Sequence, residues 1–236
     1  MKILMVVPVY KRPEIVRAAY DSIKRLPVER LFIVSSEDKF LKQNIKTLKA
    51  DTIVEYSNSM LGMKHNAGIK YALDNIEFDY MMNNGSDDLV CPTLLDLYKP
   101  YMEVEEKFFG IDSCYFFDTL TGNTVYITNY NEGHPIGGGR MIHRSVIEQM
   151  YAKGLPLYSN SRMSGLDNNS QSRIVKNLGI KPITLPVNGY PYIVDLKSGT
   201  NINHFNFYRN KPLTPRSVVD RVHQQTHQFP EIWKSR

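Results

Sequence analysis

Adjacent carboxylates are the chemical signal that stands out in this sequence: Asp87 and Asp88, within Asn83-Asn84-Gly85-Ser86-Asp87-Asp88-Leu89-Val90. Two such groups at the exit of a strand repel each other in an apolar site, which raises the pKa of one of them. A hard divalent cation removes that conflict, and phosphate oxygens can complete its octahedral shell. The same cation would neutralise a departing diphosphate. An Asp-rich turn or helix cap uses the same residue types, so the pair alone does not define a metal site. Gly137-Gly138-Gly139, ahead of Arg140, is a second feature. Glycines there would let an acceptor or a sugar approach the backbone closely. They do not follow a parallel strand as GxGxxG does, which argues against a dinucleotide phosphate loop. His134 and His143 flank the glycines and are expected to be structural or on the acceptor side. No Ser-His-Asp order, P-loop or Cys/His metal cluster is present.

The elements that must position these residues alternate strand and helix over the first ninety positions. Residues 2–7 are a continuous apolar run, as a strand covered on both faces should be. Pro13 suits the first turn of a helix over 14–25, in which Ile15, Ala18, Ala19 and Ile23 form an apolar stripe. Strands follow at 31–34, 52–54 and 78–82, with helices at 39–48 and 63–73 between them. This repeat predicts a mostly parallel sheet with right-handed crossovers and a ligand beyond the carboxyl ends of its strands. After Pro92 the spacing predicts a helix at 93–102, strands at 107–117 and 124–128 joined through Thr121-Gly122-Asn123, and helices at 145–153 and 167–178. A strand near 182–186 and a helix at 215–225 complete the reading. No repeat or linker divides the chain, so one domain is expected: 1–90 for the nucleotide, 91–190 for acceptor and catalysis, 191–236 as a basic segment.

Five pieces occur in order: Pro8-Val9-Tyr10-Lys11-Arg12-Pro13, Leu61-Gly62-Met63-Lys64-His65-Asn66-Ala67-Gly68, the Asp87-Asp88 segment, Gly137-Gly138-Gly139-Arg140, and Gly165-Leu166-Asp167-Asn168-Asn169-Ser170. In this order and spacing the chain resembles the family 2 glycosyltransferases, from residue 2 to about 185. The resemblance implies a GT-A fold: an α/β domain with a mostly parallel central sheet, helices on both faces and a small antiparallel acceptor-side region. It implies transfer of a sugar from a nucleotide-diphosphate donor, UDP-sugars among them, with inversion. It assigns Pro8, Val9 and Tyr10 to the base pocket and Arg12, Glu37, Lys64, Asn66 and Asp87 to the nucleotide sugar. It further places Mn²⁺ or Mg²⁺ on Asp87 and Asp88, with His204 as a late ligand, and Gly138, Gly139 and Arg140 beside the acceptor. Asp167 matches the general base. It also stands at a helix start with Ser170 three residues on, where it would serve as N-cap. Both roles favour the ionised carboxylate. Three positions depart from the family pattern: Gly85 replaces the first acid of the metal motif, Ser35-Ser36 the acid ending strand two, and Leu166 the Glu before the base.

Composition sets the remaining bounds. The chain is 42% hydrophobic and 22% charged, as soluble globular proteins are, and no apolar run reaches the ~20 residues of a membrane span. Two cysteines, Cys91 and Cys114, make no disulfide framework, which fits a reducing, cytoplasmic setting. Net charge is +5, and all of that excess lies from Lys197 onward, where Arg209, Lys211, Arg216 and Arg221 are clustered with three histidines. Such a segment can contact nucleotide phosphates, a nucleic acid or an anionic membrane surface, or simply form a solvated face. The resemblance implies a saccharide as acceptor or, for a compact basic member, a hydroxylated base in DNA, which this charge permits. Nucleotidyl transfer on a similar sheet, or a nucleotide-binding module of weak activity, is the alternative; the first usually has a Gly-rich basic loop after strand one, and Pro8–Pro13 contains no glycine.

Overall fold

The computed structural model describes residues 1–128, 134–199 and 212–214. The doubly apolar first run becomes β1 (Ile3–Val9), whose side chains divide by parity. Ile3, Met5, Val7 and Val9 enter one core, and Leu4 and Val6 enter another on the opposite face. The strands β2 (Glu29–Ser35) and β4 (Tyr80–Asn83) do the same: Phe32, Val34, Tyr80 and Met82 go one way, Leu31, Ile33 and Met81 the other. Such strands must be covered on both faces. Helices α1 (Pro13–Ile23), α2 (Leu41–Leu48) and α4 (Thr93–Glu103) cover the first face. Helices α3 (Leu61–Asn75), α5 (Arg144–Ala152) and α6 (Leu166–Leu178) cover the second.

With β3 (Thr52–Tyr56), β6 (Phe108–Ile111), β9 (Met141–His143) and β10 (Ile183–Leu185), these strands form a seven-stranded sheet ordered β10-β6-β9-β4-β1-β2-β3. Only β9 runs antiparallel to its neighbours β4 and β6. The result is a single α/β domain with a mostly parallel central sheet between helices, as expected. A second sheet, β5-β11-β7-β8, is built from β5 (Asp88–Val90), β7 (Cys114–Asp118), β8 (Thr124–Ile127) and β11 (Ile193–Lys197). One face of it joins the first core, and the other packs Leu89, Tyr115, Phe117, Val194 and Leu196 on Ile15 and Ala18 of α1.

Two expectations are corrected here. The single strand expected at 107–117 is two strands in different sheets, parted at Asp112-Ser113. Both halves are fully buried apolar runs, which periodicity cannot divide. The stretch between the strand expected near 182–186 and the helix expected at 215–225, for which no element is expected, contains β11, which becomes central to the site. The helix expected at 215–225 lies outside the described residues.

Candidate functional site

A cleft of about 690 Å³ opens beyond the carboxyl ends of β1 and β4, where a doubly wound sheet binds its ligands. The loop leaving β1 forms one wall. Lys11 and Arg12 both adopt left-handed backbone, at φ 56° and 50°, and Pro13 then starts α1. That turn costs about 1 kcal/mol per residue, and it aims the Arg12 guanidinium across the cleft. Its Nη1 donates to Asp87 Oδ2 at 2.9 Å and its Nη2 to Ser86 Oγ at 3.3 Å.

The opposite side is an acidic cluster. Asp87 and Asp88 leave β4, and Asp195 on β11 pairs in register with Asp88 on β5. One carboxylate oxygen from each of the three lies within 4.8 Å of the others. A Cβ at Gly85 would lie 2.7 Å from Asp87 Oδ1 and 2.8 Å from Asp88 Oδ2. The Gly85 N–H donates to Asp88 Oδ2 at 2.7 Å. The third carboxylate thus comes from β11. Burial, then the charges of Asp195 and Asp87, push the Asp88 pKa well above the usual carboxylate range. Burial likewise raises Asp195 to about 6, against the pull of Lys197. Asp195 Oδ1, Asn83 Oδ1 and Asn84 Oδ1 are buried acceptors without a hydrogen-bond partner among the described residues. A hard divalent cation fits such a donor set, all oxygen and with three carboxylates at its centre.

Asp167 reaches the same cleft from the first turn of α6. It is not the N-cap: Gly165 is, in left-handed conformation, and Ser170 Oγ donates to the Asp167 carbonyl. Asn83 Nδ2 donates to Asp167 Oδ1 and to the Gly137 carbonyl, each at 3.3 Å. The glycines pack directly on the acids. A Cβ on Gly137 would lie 2.1 Å from Asp167 Oδ2, and one on Gly138 2.9 Å from Asp88 Oδ2. One dipeptide therefore spaces the two acidic groups.

Among the other residues singled out from the sequence, Pro8, Tyr10, Arg12, Lys64 and Gly138 line the cleft. Lys64 is completely buried, and its Nζ donates to the Val9 carbonyl and Ser35 Oγ at 2.6 Å each and to Asn58 Oδ1 at 3.1 Å. Burial pushes its pKa down to about 7. Val9 contributes that carbonyl while its side chain lies in the core. Glu37 is exposed and accepts the Asn58 N–H at 2.7 Å, away from the cleft lining. Asn66 is buried off the cleft and holds the loop at Tyr158 through bonds of 2.8 and 3.1 Å. Arg140 is 1% exposed, with its donors occupied by the carbonyls of Ile136, Pro135 and Asp167, so it clamps the glycine loop to α6 and does not face an acceptor. Gly139 turns at φ 72° towards Leu94, Ile193 and Tyr98. His143 caps α5 by accepting the Ser145 N–H. His204, expected as a late metal ligand, lies outside the described residues.

Asp195 and Lys197 were not foreseen as site residues. The signal for them is the alternation Ile193-Val194-Asp195-Leu196-Lys197, which turns both polar side chains to one face of a strand. Lys197 is 4% exposed, lies 4.1 Å from the Phe116 ring centre, and donates to Asp195 Oδ2 at 2.5 Å. Burial opposes its charge, but the Asp195 carboxylate together with Asp87 and Asp88 outweighs burial and raises its pKa.

The sequence matches no protein-family model and no curated protein. Solved structures are similar in fold. Residues 1–349 of TarS from S. aureus superpose with a TM-score of 0.58 at 12% identity, covering 98% of this chain and 73% of that one. A 4-diphosphocytidyl-2C-methyl-D-erythritol synthase superposes with a TM-score of 0.54 at 11% identity, covering 94% of this chain and 98% of that one. The architecture is therefore GT-A-like, and at these identities the likeness speaks to fold alone.

Proposed function

We propose that this chain transfers a glycosyl group from a nucleotide-diphosphate sugar to an acceptor hydroxyl, with inversion. The observation that carries the reading is the convergence on one cleft of an acidic trio and a separate carboxylate, spaced by Gly137 and Gly138. Asp167 is assigned the general base. Asn83 donates to its Oδ1, which orients the carboxylate towards the cleft in which an acceptor hydroxyl would lie. The acceptor O–H proton passes to Asp167 as the acceptor oxygen bonds to the anomeric carbon, and the bond from that carbon to the diphosphate breaks on the opposite face. Asp87, Asp88 and Asp195 are assigned to Mn²⁺ or Mg²⁺, which when bound would neutralise the leaving diphosphate. Pro8, Tyr10, Arg12 and Asn58 line the remainder of the donor site. The acceptor class is a saccharide or a hydroxylated base in DNA; the latter needs its base exposed or flipped.

Nucleotidyl transfer is the second reading, favoured by the fold shared with a synthase whose name records a diphosphocytidyl product. The glycine-free loop Pro8–Pro13 and the base-like placing of Asp167 weigh against it. Calorimetric titration of UDP, CDP and GDP in Mn²⁺ and in EDTA tests the metal assignment. At least one should bind in Mn²⁺, and Asp88→Asn should weaken it about tenfold or more. Binding indifferent to EDTA and to the substitution contradicts the assignment.

A further inference from the structure

Lys197 belongs by sequence to the basic C-terminal excess, yet the fold removes it from that segment and buries it in the cleft wall. Continuing the antiparallel register of β11 on β5, in which Asp195 faces Asp88, brings Lys197 level with Ser86. The Leu196 N–H bonded to the Asp87 carbonyl at 2.8 Å extends that pairing. Arg12 contacts the same Ser86-Asp87 turn from the other wall. Two cations therefore flank one turn, and each is neutralised by a member of the acidic trio: Arg12 by Asp87 and Lys197 by Asp195.

This pairing conflicts with a trio occupied by a metal ion. A dication on Asp87, Asp88 and Asp195 draws the carboxylate oxygens to itself and repels both cations. A buried ammonium deprived of its carboxylate is costly unless another anion replaces it. A diphosphate bound beside that metal would supply such an anion next to the Ser86-Asp87 turn. We propose that Lys197 is a diphosphate-binding side chain whose partner is exchanged from Asp195 to a phosphate oxygen when metal and nucleotide enter together. The proposal rests on the reading of the cleft as a metal and nucleotide-diphosphate site. Phe116 lies under the Nζ, 4.1 Å from ring centre to nitrogen, and supports the ammonium through its ring face.

The exchange makes opposite demands on one variant, which separates it from a structural role. In Lys197→Gln, the cation competing for Asp195 is gone, so Mn²⁺ alone should bind as tightly as in wild type or more tightly. UDP, CDP, GDP and ADP in saturating Mn²⁺ should bind about tenfold more weakly, while the matching nucleosides are unaffected. Lys197→Arg should restore part of the diphosphate affinity, because it keeps the charge. Calorimetry on the full chain, with Mn²⁺ titrated first and the nucleotides after, reads both quantities. Diphosphate affinity within twofold of wild type overturns the Lys197 assignment, and so does joint weakening of Mn²⁺ and diphosphate in both variants. Wild type that binds none of the four nucleotides in Mn²⁺ overturns the underlying reading of the cleft, and this inference with it.

Discussion

Asp167 is the residue on which the proposed chemistry turns, and its setting is specific. It lies in the first turn of α6 and accepts a hydrogen bond from Asn83. Asp167→Asn removes the proton acceptor without altering shape. Transfer should fall by ~10²–10⁴-fold while Mn²⁺-dependent nucleotide binding stays within a few-fold, as initial rates beside calorimetry would establish. Residual transfer within a few-fold of wild type would place the base elsewhere. Asp87, Asp88 and Asp167 were legible because each sits in a short local segment with its own spacing. Asp195 was not, because its role depends on β11 pairing with β5 from far along the chain. Gly85 shows the same limit from the other side. In sequence it is an acid lost from a motif, whereas in the fold a side chain there would press on the Asp87 and Asp88 carboxylates and displace them.

The β-α repeat of the first ninety residues was readable because doubly buried strands and amphipathic helices leave different periodicities. What escaped were short strands: β5, β9 and β11 span three to five residues, too few for alternation to separate them from loop. The glycine loop was noticed but assigned to the acceptor side, since glycines in sequence announce close approach without naming what approaches. Here Gly137 meets the Asp167 carboxylate, Gly138 meets Asp88, and Arg140 ties the loop to α6 through the Asp167 carbonyl at 2.6 Å. Gly137→Ala should therefore displace the Asp167 carboxylate. Transfer should drop by ~10²-fold or more, with a stability loss of only about 1–3 kcal/mol. Activity assays paired with denaturant unfolding would check this; a stable Gly137→Ala protein with wild-type transfer rules out the spacer role.

Charge and burial across the chain give one further consequence. The net +5 suggested a solvated or acceptor-binding C-terminal face, but Lys197 is spent inside the cleft; its other basic residues lie outside the described part. No helix among the described residues is long and apolar enough to cross a membrane. Lys64, completely buried, links the folded state to pH. Its pKa is depressed from 10.5 to about 7, so between those values the unfolded chain holds a proton that the folded chain does not. Stability from this group is therefore full above the unfolded pKa and is lost as pH falls towards 7. Unfolding free energy should rise from pH 7 to 9 by about 1 kcal/mol per unit. Lys64→Met should flatten that rise in urea unfolding series at pH 7, 8 and 9; equal slopes in the two proteins would refute the linkage.

The products formed from a nucleotide-diphosphate sugar test the central assignment most directly. The full chain, incubated with UDP-, GDP- and CDP-sugars in Mn²⁺ without acceptor, would be followed by NMR at the anomeric carbon and by phosphorus detection. Water then takes the place of the acceptor hydroxyl. Slow release of nucleoside diphosphate and of free sugar with inverted anomeric configuration is expected from at least one donor, and both should vanish in EDTA and in Asp167→Asn. A sugar released with retained configuration, or cleavage within the diphosphate to give nucleoside monophosphate and sugar phosphate, would contradict the account.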